Sequence, residues 1–304
     1  MIDLSVNIGG LQLKNPIILA SGTVGYGNEI SEFIDLSEIG AIVTKSISLK
    51  PRKGNAPGRI IETPSGMLNA IGLANIGLRE FISQKIPFLE KVKSTLICNI
   101  AASSFEEYKI CVEELKDINI IQAFEINVSC PNVKDGGLLF GNDLNAVKTI
   151  TSILRPVTNK PLILKLSPNT TSIWNFAQVA KDANWNAVSA INTLVGTSFD
   201  IYTRKPKIKN ITGGLSGAAI KPIALAKILE ISRNVEIPII GIGGIMNWKD
   251  AIEFMIAGAS AVQIGSANFI NPKVSIEILD GIKEFCETQQ IENVSNLTAS
   301  YNLL

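Results

Sequence analysis

Eight short runs rich in Ile, Val and Leu recur along the chain with amphipathic, helix-like segments between them, and this alternation constrains the fold more than any other feature. The runs are Pro16–Ala20, Ala41–Lys45, Thr95–Asn99, Phe124–Val128, Leu162–Leu166, Ala187–Ile191, Ile239–Ile242 and Ala261–Ile264. They are largely apolar rather than alternating, as parallel strands buried on both faces are. Helical periodicity falls at Phe105–Lys116, Leu144–Thr158, Ile173–Ala183, Ile220–Ile231 and Trp248–Gly258, with Asn142, Asp143 and Asn247 as N-cap candidates. Eight such units in 304 residues predict an α/β fold, a (β/α)8 TIM barrel. A turn at Gly9-Gly10 predicts an N-terminal hairpin that caps the far end of the barrel. Segments 46–78 and 193–217, punctuated by Gly and Pro, are too long for simple connections. They are expected as insertions at strand C-terminal ends, the face where such barrels build their sites. No repeat or linker divides the chain, so residues 1–304 are expected to form a single domain.

Composition narrows the chemistry. The chain has no histidine, which removes the commonest general base and the commonest metal ligand. Proton transfer near neutral pH must then fall to Cys, Lys, Tyr or a carboxylate. Twenty-eight basic against 27 acidic residues, without a basic block, argue against nucleic acid as a partner. No apolar stretch reaches the length of a membrane span and no signal peptide opens the sequence, so a cytoplasmic location is expected. The cysteines, 98, 111, 130 and 286, form no CxxC pair, and neither a metal nor an iron–sulfur cluster is expected on this chain.

Polar residues gather where the apolar runs end: Ser21, Lys45, Asn99, Asn127, Lys165 and Asn192. Asn and Ser also end strands simply because they favour turns. A lysine at such a position is costly to bury unless it meets an anion or an electron-rich ring, which singles out Lys45 and Lys165. The last two runs lead into Gly241-Ile242-Gly243-Gly244 and Gly265-Ser266, where backbone N–H groups can approach a phosphate. The first of these also reads as part of a dinucleotide fingerprint, but its third glycine is missing. Cys130 stands at a strand end between Ser129 and Pro131, ahead of Lys134-Asp135-Gly136-Gly137. A lone cysteine is commonly just a small buried hydrophobe, the reading given to Cys98, Cys111 and Cys286. At Cys130 a thiol of ordinary pKa about 8.5 is one of the few available bases.

Taken together the sequence resembles the class 1 dihydroorotate dehydrogenases, and within them the class 1B catalytic subunit. The blocks that carry the resemblance are Asn15-Pro16 with Ala20-Ser21-Gly22-Thr23, Glu62 to Leu73, Asn127-Val128-Ser129-Cys130-Pro131-Asn132, and Gly213-Gly214-Leu215-Ser216-Gly217. The resemblance implies FMN bound in the barrel and oxidation of dihydroorotate to orotate, the redox step of pyrimidine (UMP) biosynthesis. Cys130 would remove the C5 proton, and Lys165 would stabilise negative charge on the flavin. Lys45, Asn69, Ala70, Ile71, Gly72, Leu73, Asn127, Asn132, Asn192 and Thr193 would hold the substrate. The FMN site would comprise Ser21, Lys45, Ser46, Asn99, Asn127, Lys165, Ile191 and Gly217, with Gly243, Gly244, Gly265 and Ser266 at the phosphate. Ser46 stands where glycine or threonine is expected, and Ser266 where threonine is usual.

The resemblance further implies a homodimer core joined by an electron-transfer subunit carrying FAD and a [2Fe-2S] cluster, a heterotetramer that passes electrons to NAD. The alternatives are a fumarate-linked class 1A enzyme, a flavoprotein of the dihydropyrimidine dehydrogenase type, and a flavin-binding barrel without turnover.

Overall fold

The computed structural model describes residues 2–129 and 140–302. A hairpin of β1 (Val6–Ile8) and β2 (Leu11–Leu13) leads into β3 (Ile17–Leu19) and β4 (Ala41–Val43). After β5 (Ile60–Thr63) and β6 (Gly66–Asn69) come β7 (Thr95–Ile100), β8 (Ile121–Asn127), β9 (Leu162–Leu166) and β10 (Ala187–Ala190). The chain continues through β11 (Leu194–Thr197), β12 (Thr212–Ser216), β13 (Ile239–Ile242) and β14 (Ala261–Ile264). The eight expected runs form the barrel, closed in the order β10-β13-β14-β3-β4-β7-β8-β9. The pairings between these strands are parallel. Strands such as β4, β9, β13 and β14 are buried at every position, which is why their sequences lack the alternation of a half-exposed strand.

The surrounding helices follow the periodicity of their apolar residues. Leu144–Leu154 buries Ala146, Val147, Ile150, Thr151 and Leu154, and the Asp143 carboxylate accepts from the N–H groups of Asn145 and Ala146 at its start. This helix stops short of the expected Thr158. Pro156, which lacks an N–H and crowds the preceding turn, diverts the chain into a 3-10 turn at Arg155–Val157. Asn247 closes a capping box with Asp250 at the head of Trp248–Ile256.

Several helical segments have no counterpart among the expected ones, the two longest being residues 78–89 and Val274–Thr288. Residues 78–89 form α and π turns around Pro87 and bury Leu78, Phe81, Ile86 and Leu89. Val274–Thr288 carries Gly281 at mid-helix, a residue that ordinarily weakens a helix. A Cβ at Gly281 would lie 2.3 Å from the Trp248 ring, so the glycine lets two helices close on each other.

Both insertions contain regular structure. β5–β6 and β11–β12 are antiparallel hairpins that join through β6 and β12 into a four-stranded sheet, with Asn69 opposite Gly214 and Met67 opposite Ser216. Gly66 makes the junction possible, since a Cβ there would sit 2.0 Å from the Ser216 carbonyl oxygen. At the other end of the barrel the β1–β2 turn docks below β10, where the Asn186 amide donates to the Gly9 carbonyl at 2.7 Å. The hairpin therefore caps the N-terminal face and leaves the C-terminal face to the inserted sheet. Among the described residues no helix is long and apolar enough to cross a membrane.

Candidate active site

The barrel mouth and the inserted sheet enclose a cavity of about 650 Å³. Nearly every residue singled out from the sequence lines it. Lys45, Asn69, Ala70, Ile71, Gly72, Leu73, Asn127, Asn192 and Thr193 are there, as are Ser21, Ser46, Lys165, Ile191, Gly217, Gly243, Gly244, Gly265 and Ser266. Asn99 is fully buried and is not part of the lining. Cys130 and Asn132 lie outside the described residues.

The upper wall is a set of carboxamides held by the backbone. Asn127 Oδ1 accepts from the Ser129 N–H at 3.1 Å and from Asn192 Nδ2 at 3.3 Å. Asn192 Oδ1 in turn accepts from the Thr193 N–H at 2.8 Å. Asn69 Nδ2 donates to the Gly214 carbonyl at 3.3 Å across the β6–β12 pairing. Among these stands Lys45, half-buried, whose ammonium has no hydrogen-bond or ion-pair partner among the described residues. Burial, followed by the nearby Arg59 charge, pushes the Lys45 pKa below that of an ordinary lysine, and Glu29 offsets this in part. A desolvated cation beside amide donors and acceptors is a receptor for a small carboxylate with an amide edge.

The floor is built on Glu125, fully buried on β8. Its Oε1 accepts from Asn99 Nδ2 at 2.6 Å and from Lys165 Nζ at 3.4 Å. Its Oε2 accepts from Ser189 Oγ at 2.8 Å and from Gln263 Nε2 at 2.7 Å. The opposite faces of the two amides are unsatisfied: Asn99 Oδ1 and Gln263 Oε1 are buried without a hydrogen-bond partner among the described residues. Gln263 lines the cavity, so its oxygen is an acceptor offered to whatever fills the floor.

The side wall is a glycine cradle. Gly243 and Gly244 have φ of 132° and 74°, and a Cβ on Gly244 would lie 2.8 Å from the Lys221 backbone nitrogen. The loop is tied down from outside, because Asp250 Oδ2 accepts from the N–H groups of Met246 and Asn247 while Oδ1 holds Lys221 Nζ at 2.7 Å. Lys221 also reaches Glu253, and the hydrogen bond it donates to Asp250, the larger influence, holds its pKa up. Among the described residues no acceptor takes the N–H groups of Gly243, Gly244, Gly265 or Ser266, which suits a phosphate. Gly244→Ala is expected to cost about 1–3 kcal/mol through its left-handed φ and the clash at Lys221. An unchanged urea midpoint would show that the loop adjusts freely.

Sequence reasoning missed Glu125, Ser189, Gln263 and the wall residue Asn169. The signal for Glu125 was present: it lies two residues before Asn127 and so shares its strand face, a carboxylate in an otherwise apolar run. Cys98, Cys111 and Cys286 are buried as expected. Burial pushes the thiols of Cys98 and Cys286 up and that of Cys111 up to about 12, so none of the three can act as a base near neutral pH. Among the described residues no cluster of His, Cys, Asp or Glu could hold a metal ion.

A parallel barrel with a buried lysine–carboxylate floor, a lysine among carboxamides that has no partner among the described residues, and a glycine cradle defines a ligand-binding (β/α)8 barrel, and its relatives place it in the oxidoreductase class. The family description "dihydroorotate dehydrogenase" matches residues 3–286, and the chain belongs to the dihydroorotate dehydrogenase family. It is 50% identical over 298 residues to a protein of Pelobacter propionicus, covering 98% of both chains. It is 48% identical to a protein of Geotalea uraniireducens, with 97% of both chains covered, and 48% identical to one of Bacteroides thetaiotaomicron, with 98% of both covered. All three relatives are named dihydroorotate dehydrogenase B (NAD(+)), catalytic subunit.

Proposed function

We propose that this chain, residues 1–304 acting as one FMN-binding barrel domain in the cytoplasm, is the catalytic subunit of an NAD-linked dihydroorotate dehydrogenase. The observation that carries the reading is the meeting, in one cavity, of Lys45 among Asn69, Asn127 and Asn192 with the N–H groups of the glycine cradle, both without a partner among the described residues. The first group suits the carboxylate and amide edge of dihydroorotate, the second the phosphate of FMN. The Gln263 oxygen on the floor, without a partner among the described residues, suits a ring that carries an N–H.

FMN supplies the acceptor for the hydride that leaves C6 of dihydroorotate. The chain's own residues do the rest. Lys45 binds the substrate carboxylate, while Asn69, Asn127, Asn132 and Asn192 orient its amide edges, with residues 70–73 and Thr193 completing the wall. Cys130, as thiolate, takes the proton from C5. Lys165 offsets negative charge at the inner end of the cavity, and Gly243, Gly244, Gly265 and Ser266 hold the phosphate. Ser21, Ser46, Asn99, Ile191 and Gly217 complete the FMN set. The relatives' names, which specify a catalytic subunit and NAD(+), support a second subunit and NAD as final acceptor. On this reading the second subunit carries FAD and a [2Fe-2S] cluster, and a homodimer of this chain forms the core of a heterotetramer.

The test is an anaerobic titration of the FMN-loaded protein with dihydroorotate. The flavin band is expected to bleach with a stoichiometry of one substrate per flavin, and a band that persists would rule out this substrate. The same titration yields a pH prediction. Lys45 is charged below its lowered pKa and neutral above it, so substrate affinity should hold at neutral pH. It should then fall as pH rises, starting below the ordinary lysine value of about 10.4. Lys45→Met should flatten this dependence, and an unchanged profile in that variant would assign the carboxylate to another residue.

A further inference from the structure

Glu125 touches neither the cavity nor any residue assigned to the substrate, yet four donors converge on it, one pair on each oxygen. A carboxylate has about four acceptor sites and no donor when ionised, so this set saturates it. The consequence falls on Gln263. With Nε2 against Oε2 at 2.7 Å, a flipped Gln263 would set its own oxygen lone pairs against those of the carboxylate. Only one amide orientation is compatible with Glu125, and it turns Oε1 away as a buried acceptor without a partner among the described residues.

We propose that Glu125 is a positioning residue that sets the hydrogen-bond polarity of the cavity floor, so that Gln263 offers an acceptor beside the Lys165 cation. A floor of that polarity selects a ring edge on which an N–H stands beside a carbonyl. Asn99 and Ser189, which clamp the two oxygens of Glu125 at 2.6 and 2.8 Å, keep the carboxylate from turning. The inference rests on the proposed FMN reading, under which the selected edge is that of the flavin ring rather than the substrate.

Replacing Glu125 by glutamine keeps the shape but introduces a donor, so that one facing amide must turn over and the floor loses its fixed order. The experiment compares the dissociation constants of FMN and of 3-deaza-FMN, in which a C–H replaces the ring N–H, for the wild-type protein and Glu125→Gln. Wild type is expected to prefer FMN by about fivefold or more, the loss that follows from leaving a buried acceptor unpaired. Glu125→Gln should reduce that preference to within about twofold, while orotate affinity for the FMN-loaded variant changes little. A role confined to stability would lower both flavin affinities together and leave their ratio intact. That result, or a loss confined to orotate, would overturn the inference. If Glu125→Gln does not fold, Gln263→Met carries the test, since it removes the acceptor and leaves the Glu125–Lys165 pair. Retained preference in that variant overturns the proposal as well. Wild-type protein that binds no FMN would instead refute the cofactor reading on which the inference stands.

Discussion

Replacing Cys130 by serine is expected to slow reduction of the bound flavin by dihydroorotate by about 10²- to 10⁴-fold, the range over which a positioned general base contributes. FMN retention should be unaffected. The reasoning is one of supply. The chain contains no histidine, and the thiols of Cys98, Cys111 and Cys286 are buried and pushed up by that burial. Cys130 lies three residues beyond the end of β8, next to Ser129, which lines the cavity. A thiol ionises far more readily than a hydroxyl, so serine preserves size and loses basicity. Stopped-flow mixing of the anaerobic, FMN-loaded variant with dihydroorotate checks this directly. A reduction rate equal to wild type would remove Cys130 from the mechanism and leave a carboxylate or lysine as the base.

Lys165→Met is expected to destabilise the protein by about 3–5 kcal/mol, because it leaves the Glu125 carboxylate buried without its counter-charge. Lys165 Nζ lies 3.4 Å from Glu125 Oε1, with the two side chains 8% and 0% exposed, so the carboxylate itself has no solvent contact to offset the lost cation. The double variant Lys165→Met/Glu125→Gln, which carries neither charge, should recover part of that loss. This difference separates a charge effect from a packing effect. Urea denaturation of the three proteins measures it, and equal midpoints for wild type and Lys165→Met would show that the floor does not depend on the ion pair. Under the proposed function the single variant should also reduce its flavin more slowly, since the cation at the inner end of the cavity is gone.

The barrel was legible in the chain because its strands are buried on both faces. Runs such as Leu162–Leu166 and Ile239–Ile242 announce themselves by unbroken apolar character, and their observed bounds coincide with those expected. The helix ends were legible where a cap was present, as at Asp143 and Asn247, and misjudged where Pro156 intervened. The helix Val274–Thr288 was not anticipated, because Gly281 reads as a weak helix position until the Trp248 ring against it is seen. The antiparallel sheet was hidden for a related reason. β5, β6, β11 and β12 are short and mostly half-exposed, the last three carry glycine, and β6 pairs with β12 across some 145 residues of chain.

The site divides along the same line. Residue types at strand ends sufficed to select Ser21, Lys45, Asn127, Lys165 and Asn192, because a strand's last inward residue in a parallel barrel points at the mouth whatever its neighbours are, whereas Asn69, on the inserted sheet, came only from the resemblance. Local sequence thus determined the barrel, the face that carries the chemistry and the side chains presented there. Glu125, Ser189, Gln263 and Asn99 reside on β8, β10, β14 and β7, and only closure of the barrel brings them together. Tertiary structure alone decided that Lys165 has a buried counter-charge and that Gln263, tied to Glu125 through Nε2, keeps its oxygen as a buried acceptor without a partner among the described residues. Hydrogen bonds between strands depend on register and closure, which no stretch of sequence encodes by itself.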